Sequence, residues 1–199
     1  MHIVGILLAA GQGTRFGGAK LLAPLPTASH RVAAGTPIGV AACRHLVAAV
    51  ADVVAVIRPG DPALAQQLRD AGARVVECQR ADDGMGASLA CGVTAAPDAD
   101  GWVVALADMP WLAPATIISV ADALAAGADI AAPLIDGERA HPVGFSRRHF
   151  AALVVLTGDA GAKSLVAENR KSTRLIATDD EGARRDVDTV LDLRDQRLA

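Results

Sequence analysis

The chain has 199 residues, 52% of them hydrophobic, and a formal net charge of -3 at neutral pH. That length suits a single domain over 1–199 with a substantial core, and the apolar fraction excludes a disordered chain. The weak acidity offers nothing to a nucleic acid or an anionic membrane, and no apolar run is long enough to span a bilayer. Cys43, Cys78 and Cys91 are odd in number and widely spaced, as expected of reduced core thiols. With no basic leader before the first apolar run, the expected location is the cytoplasm.

The first element is the apolar run Ile3 to Leu8, a strand buried on both faces, which breaks into a glycine-rich loop ending in Arg15 and Lys20. A short extended piece from Leu21 to Pro26 and a surface connection from Thr27 to Pro37 lead to a helix over Ile38 to Val50. Val53 to Ile57 reads as a second strand, and Asp61-Pro62 as the cap and first turn of a helix through about Ala71. A third strand, Arg74 to Glu77, precedes a polar loop, Ala81 to Gly86, and a small-residue helix, Ala87 to Ala96. Trp102 to Ala107 is another all-apolar strand, and it ends at Asp108. Beyond it the pattern predicts a helix over Pro114 to Ala126, a strand at Ile130 to Ala132 and a ribbon from Ile135 to Phe145 turning at Asp136-Gly137. Helices over Arg147 to Leu156 and Ala160 to Asn169, a strand at Thr173 to Ala177 and a last helix over Thr189 to Arg197 complete the pattern.

Strands alternating with helices imply an α/β fold: a Rossmann-like three-layer α/β/α arrangement around a mostly parallel sheet. Ligands of such sheets bind outside the carboxyl ends of the strands, so the loop from Gly11 to Lys20 and Asp108 should meet at one crevice.

Three readings of the glycine-rich loop compete. The dinucleotide fingerprint GxGxxG fails because Phe16 stands where the third glycine belongs and Gly17 comes one residue late, which counts against an NAD-dependent reductase. A phosphate loop GxxxxGK[ST] fails because Ala19 separates Gly18 from Lys20 and Leu21 replaces the hydroxyl. Gly158 to Ser164 imitates that motif but has Ala162 in place of the last glycine. What remains is a glycine-rich turn with two cations at its far end, an arrangement suited to a triphosphate; otherwise Arg15 and Lys20 are solvated surface charges.

The stretch LAAGQGTRFGGAKLL resembles the signature of the MobA-like nucleotidyltransferase family, a Rossmann-like group that includes molybdenum-cofactor nucleotidyltransferases and is related to sugar-nucleotide pyrophosphorylases. Further matching segments follow in order: GMGASLACGV at Gly84, ALADMPWL at Ala105, HPVGF at His141, TGDAGAK at Thr157 and DVDT at Asp186. The set spans nearly the whole chain. It is most similar to the molybdenum-cofactor cytidylyltransferase branch, which carries LAAG where guanylyl-transferring relatives carry LAGG.

The resemblance implies a fold of nucleotidyltransferase type and transfer of a nucleoside monophosphate from a triphosphate, CTP in preference to GTP, to a molybdopterin-type phosphate with loss of pyrophosphate. It implies that Leu8, Ala9, Ala10, Gly11, Gly13 and Ser88 bind the nucleotide, that Arg15 holds the β- and γ-phosphates, and that Lys20 neutralises charge near the α-phosphate. Asp108 and Asp188 would hold Mg²⁺. Asp108 is otherwise a cap, and Asp186 competes with Asp188 for the second position, since both point to one face of an extended segment. Val190 stands where the family usually has proline after this motif, and Gly86-Ala87 replace its usual serines. His141, Asp159 and Lys163 are candidates for the acceptor pocket, with an ordinary loop histidine the plain reading of His141. Transient contact with a recipient molybdoenzyme follows from the same resemblance. Two other functions fit the residues: transfer to another phosphorylated small molecule, and a non-catalytic nucleotide-binding accessory factor.

Overall fold

The computed structural model describes residues 1–30 and 32–193. Its strands are β1 (Ile3–Ala9), β2 (Asp52–Ile57), β3 (Arg74–Glu77), β4 (Gly101–Leu106), β5 (Ile130–Ile135), β6 (Glu138–Arg139), β7 (Val143–Ser146) and β8 (Thr173–Ala177). Its helices are α1 (Ile38–Val47), α2 (Pro62–Asp70), α3 (Met85–Thr94), α4 (Pro114–Ala125), α5 (Phe150–Leu153) and α6 (Lys163–Glu168). The strands form one sheet in the order β3-β2-β1-β4-β7-β5-β6, with β8 also paired to β5. Strands β3, β2, β1 and β4 are mutually parallel, β7 is antiparallel to both β4 and β5, and β8 is parallel to β5.

The chain packs two apolar layers, one on each face of this sheet. Because side chains alternate along a strand, Leu7, Ala55, Val103 and Ala105 face α1, α2 and α4 through Leu46, Leu68 and Leu124. Ile6, Val54, Val56, Trp102 and Val104 face the opposite way, onto Leu89 and Val93 of α3, Leu153 of α5 and Val166 of α6. Burial on both faces is why these strands read as unbroken apolar runs. β1 lies between β2 and β4, and the chain reverses its direction of winding there, so a crevice opens at the carboxyl ends of β1 and β4.

The parallel half follows the expected pattern closely, with α2 capped by an Asp61 carboxylate that accepts from Leu64 N at 3.0 Å. The other half departs from it. The strand expected at Ile130 to Ala132 runs on to Ile135, and Asp136 and Gly137, both with positive φ, turn it into β6 in a two-residue hairpin. The rest of the expected ribbon passes through a cis His141–Pro142 bond and enters the sheet as β7 between β4 and β5. The helix expected from Arg147 is a 3-10 turn followed by the four-residue α5. Arg147 anchors this turn: its backbone N–H bonds Asp100 O, and its guanidinium bonds Pro97 O and Ala99 O. The helix expected from Ala160 begins only at Lys163, after Gly161 in the left-handed region. Of the helix expected over Thr189 to Arg197, the described residues 189–193 form turns instead, and 194–197 lie outside the described residues.

Candidate active site

The loop after β1 reaches its cations through a compact backbone turn. Gly13, Gly17 and Gly18 all have positive φ. A Cβ on Gly13 would stand 2.9 Å from Gly18 O and 3.2 Å from the Lys20 Cβ, so the turn closes this tightly only with glycine there. Closure directs Lys20 inward: its side chain is 12% exposed, and Nζ lies 2.8 Å from Asp108 Oδ2 and 3.8 Å from Asp188 Oδ1. Arg15 remains 76% exposed and pairs with the other oxygen of Asp188.

Asp108 follows β4 and is 25% exposed. Its carbonyl accepts from Val187 N at 2.9 Å. Val187 is buried between Asp186 and Asp188, whose carboxylates both reach Asp108. Ligand atoms of Asp108, Asp186 and Asp188 all lie within 4.8 Å of one another. Partial desolvation, and then the charges of Asp108 and Asp188, raise the pKa of Asp186 above its ordinary value.

A cleft of about 350 Å³ adjoins this cluster. Leu8, Ala9, Ala10 and Gly11 line it from the end of β1, Met85 and Ser88 from the first turns of α3 with Asp159 beside them, and Lys20 and Asp108 from the segments that follow β1 and β4. Gly13 borders a second depression that shares Lys20 with the first. Gln12, Arg58 and Asp82 complete the rim: Arg58 Nη1 and Nη2 donate to Asp82 Oδ1 at 2.8 and 2.6 Å, and Gln12 Nε2 donates to the same oxygen at 3.2 Å. Gln12, Arg58 and Asp82 are absent from the sequence-based assignment. Arg58 was detectable, since β2 ends beside β1 and its following loop must open onto the same crevice. Asp82 carries no such signal in the sequence.

The candidate acceptor residues are less tightly grouped. Asp159 lines the cleft because the 157–159 loop crosses the start of α3, where Gly158 N bonds Asp83 O and Gly86 N bonds Gly158 O. Space for that crossing explains Gly84 and Gly86: a Cβ on either would approach backbone atoms of this loop to 2.6 Å or less. His141 lies within electrostatic reach of Asp108 and Lys163, with Nδ1 buried and without a hydrogen-bond partner among the described residues. Burial, and then the charge of Arg139, lowers its pKa and keeps the ring neutral at pH 7. His141 and Lys163 do not line the cleft itself.

The carboxylates Asp82, Asp108, Asp159, Asp186 and Asp188 outnumber the cations Arg15, Lys20 and Arg58 around this crevice. A polyanion could enter only with an added cation, and three converging carboxylates are hard oxygen donors of the kind that Mg²⁺ or Mn²⁺ prefers. The residues therefore fit a divalent metal.

Residues 5–173 match the family described as the MobA-like NTP transferase domain. Purine catabolism protein PucB of Bacillus subtilis (strain 168) is 30% identical over 202 residues, covering 94% of this chain and 92% of PucB. The crystal structure of Rv0371c from Mycobacterium tuberculosis H37Rv matches with a TM-score of 0.78 at 31% identity, over 98% of this chain and 96% of that one. The structure of Rv0371c in complex with manganese matches at 0.73 and 30%, over 98% and 97%. A nucleotidyl transferase from Methanothermobacter, 21% identical with a TM-score of 0.78 over 96% of this chain and 94% of its own, shares the fold.

Proposed function

The chain belongs to the MobA-like NTP transferase family, and on that premise we propose that it transfers CMP from CTP to the terminal phosphate of a molybdopterin-type cofactor. One observation carries the reading. At the carboxyl ends of β1 and β4, Lys20 meets the three-carboxylate cluster beside a cleft floored by backbone and small side chains.

In the proposed reaction an oxygen of the acceptor phosphate attacks the α-phosphorus of the nucleotide, the bond to the β-phosphate oxygen breaks, and pyrophosphate leaves with that electron pair. No protein nucleophile is required, because the work is to align two anions and neutralise charge. The backbone from Leu8 to Gly13 and Ser88 hold the nucleotide, Arg15 swings from Asp188 to the β- and γ-phosphates, and Lys20 faces the α-phosphate. Asp108 and Asp188 would hold the metal, with Asp186 beside them. Bound there, a divalent ion, Mg²⁺ in the cell, would supply Lewis acidity and offset the charge of the leaving group. His141, Asp159 and Lys163 border the acceptor, with neutral His141 available to donate or accept one hydrogen bond.

The choice of CTP rests on Ala10 in the LAAG sequence. The manganese complex of Rv0371c supports a divalent ion, and the name of PucB suits a recipient molybdoenzyme of the xanthine-oxidising kind, contacted transiently in the cytoplasm.

Pyrophosphate release from each of the four nucleoside triphosphates, with and without Mg²⁺, Mn²⁺ and molybdopterin, tests the reading. Turnover is expected only with metal and acceptor together, and fastest with CTP. Faster turnover with GTP overturns the base preference, and turnover with another phosphorylated acceptor in place of molybdopterin replaces the substrate. Tight nucleotide binding without turnover in any combination makes the chain an accessory factor. Asp108→Asn is expected to slow metal-dependent turnover by a factor on the order of 10²–10³.

A further inference from the structure

The carboxylate cluster is assembled from two distant parts of the chain. Asp108 is placed by β4, whereas Asp186 and Asp188 belong to an irregular segment beyond β8 that has no strand ladder to hold it. Three carboxylates within 4.8 Å repel one another, so the direct ties across the cluster, Val187 N to Asp108 O at 2.9 Å and Lys20 between Asp108 and Asp188, need support from outside it. Arg15 is too exposed to serve as the main restraint on Asp188.

That support lies behind the cluster. The Arg185 guanidinium lies over the indole ring of Trp111, with Cζ 3.8 Å from the ring centroid, and Trp111 follows Asp108 by three residues. Arg185 Nη2 also donates to Asp192 O at 3.1 Å. The Asp192 carboxylate in turn accepts from Asp188 N at 3.0 Å, Thr189 N at 2.6 Å and Thr189 Oγ1 at 3.0 Å. One side chain thus joins the loop after Asp108 to the turn that sets the backbone of Asp188. Gly182 makes a second contact with the same loop, where any Cβ would overlap Trp111 O.

We propose that Arg185, stacked on Trp111 and bonded to the Asp192 turn, is a positioning residue that holds Asp186 and Asp188 against Asp108 at the spacing a shared divalent cation needs. The inference rests on the metal role given to this cluster above. It requires arginine, because a flat guanidinium can stack on the ring and donate in its own plane at once, whereas a lysine ammonium, a compact charge with no flat face, cannot stack in that way.

Mn²⁺ binding to the full chain, read by the electron paramagnetic resonance signal of the free ion, tests it without any turnover. Arg185→Ala is expected to weaken Mn²⁺ binding by about 10–100-fold, as loss of an outer partner does at metal sites. Arg185→Lys should lose most of the same affinity. Because Lys keeps the charge and much of the side-chain bulk, it serves as the probe if the alanine variant does not fold, and melting curves identify that case. Saturating Mn²⁺ should restore kcat in whichever variant folds, leaving the apparent KM for metal raised. Wild-type affinity in Arg185→Ala or in Arg185→Lys overturns the proposal, as does a loss of kcat that saturating metal fails to restore. If the wild-type chain binds no Mn²⁺ even with CTP present, the metal role of the cluster falls and the positioning role falls with it.

Discussion

The two sides of the site are built by different means. On one side, β1, β2 and β4 are parallel, buried on both faces and in continuous register, and they deliver Gly11, Lys20 and Asp108 to the crevice from strand ends. On the other, the 157–163 segment, the turn before His141 and the stretch from 180 to 192 are largely irregular and are held by single hydrogen bonds and glycine contacts. Asp180 illustrates the second mode: its carboxylate accepts from Ala113 N, Thr116 Oγ1 and Gly182 N, pinning the chain at the entry to the Asp186–Asp188 segment. A sheet wall averages over many contacts and tolerates the loss of one, whereas a loop wall depends on each anchor.

Substitutions can break or sharpen this contrast. The largest effect is expected on the ordered wall, where the proposed chemistry is concentrated: Lys20→Met should lower kcat for pyrophosphate release by about 10²–10³-fold with little change in melting temperature. A comparable loss of stability instead would mean that Lys20 is mainly a partner for Asp108.

A smaller and different effect is expected on the loop wall. Gly86→Ala would put a Cβ 2.6 Å from Thr157 O, and relieving that overlap should cost about 2 kcal/mol and displace the 157–163 segment. The KM for the acceptor should then rise more than the KM for nucleotide; an equal rise in both would show that the walls do not act separately.

The smallest effect lies behind both walls. His45 is buried beside Ser29, with Nε2 3.3 Å from Ser29 O, and burial, and then the charge of His30, lowers its pKa to about 4. The unfolded chain then takes up a proton at His45 near pH 6.5 that the folded chain refuses, so the contribution is intact above that pH and fades as pH falls towards 4. Urea midpoints should show about 1 kcal/mol less stability at pH 5.5 than at pH 7 from this group, and His45→Gln should flatten the slope. An unchanged slope in that variant would assign the acid sensitivity elsewhere.

This division also governed what could be read in advance. The parallel strands, the helices α1, α2 and α4, and the crevice shared by Lys20 and Asp108 follow from apolar periodicity, caps and the carboxyl-end rule, all of which act over a few neighbouring residues. The alternation at Asp186 and Asp188 was likewise a local property. Insertion of β7 between β4 and β5 was not, because a strand's partners depend on which edge is free when it arrives. Nor was the meeting of Arg58 with Asp82, or of Arg185 with Trp111, since each joins segments whose proximity exists only after the sheet has formed.

The amino-acid sequence by itself therefore determined the layered α/β architecture, the glycine-rich turn with its two cations and the acidic residue at the end of β4, because burial and backbone freedom are written in adjacent positions. Only the tertiary structure decided that Asp186 joins Asp108 and Asp188 in one cluster, and that Gly84 and Gly86 are there to admit the 157–159 loop. It also decided that Arg185 meets Trp111 behind that cluster. These depend on contacts between residues far apart in the chain, whose free energy appears only once the intervening segments have been packed.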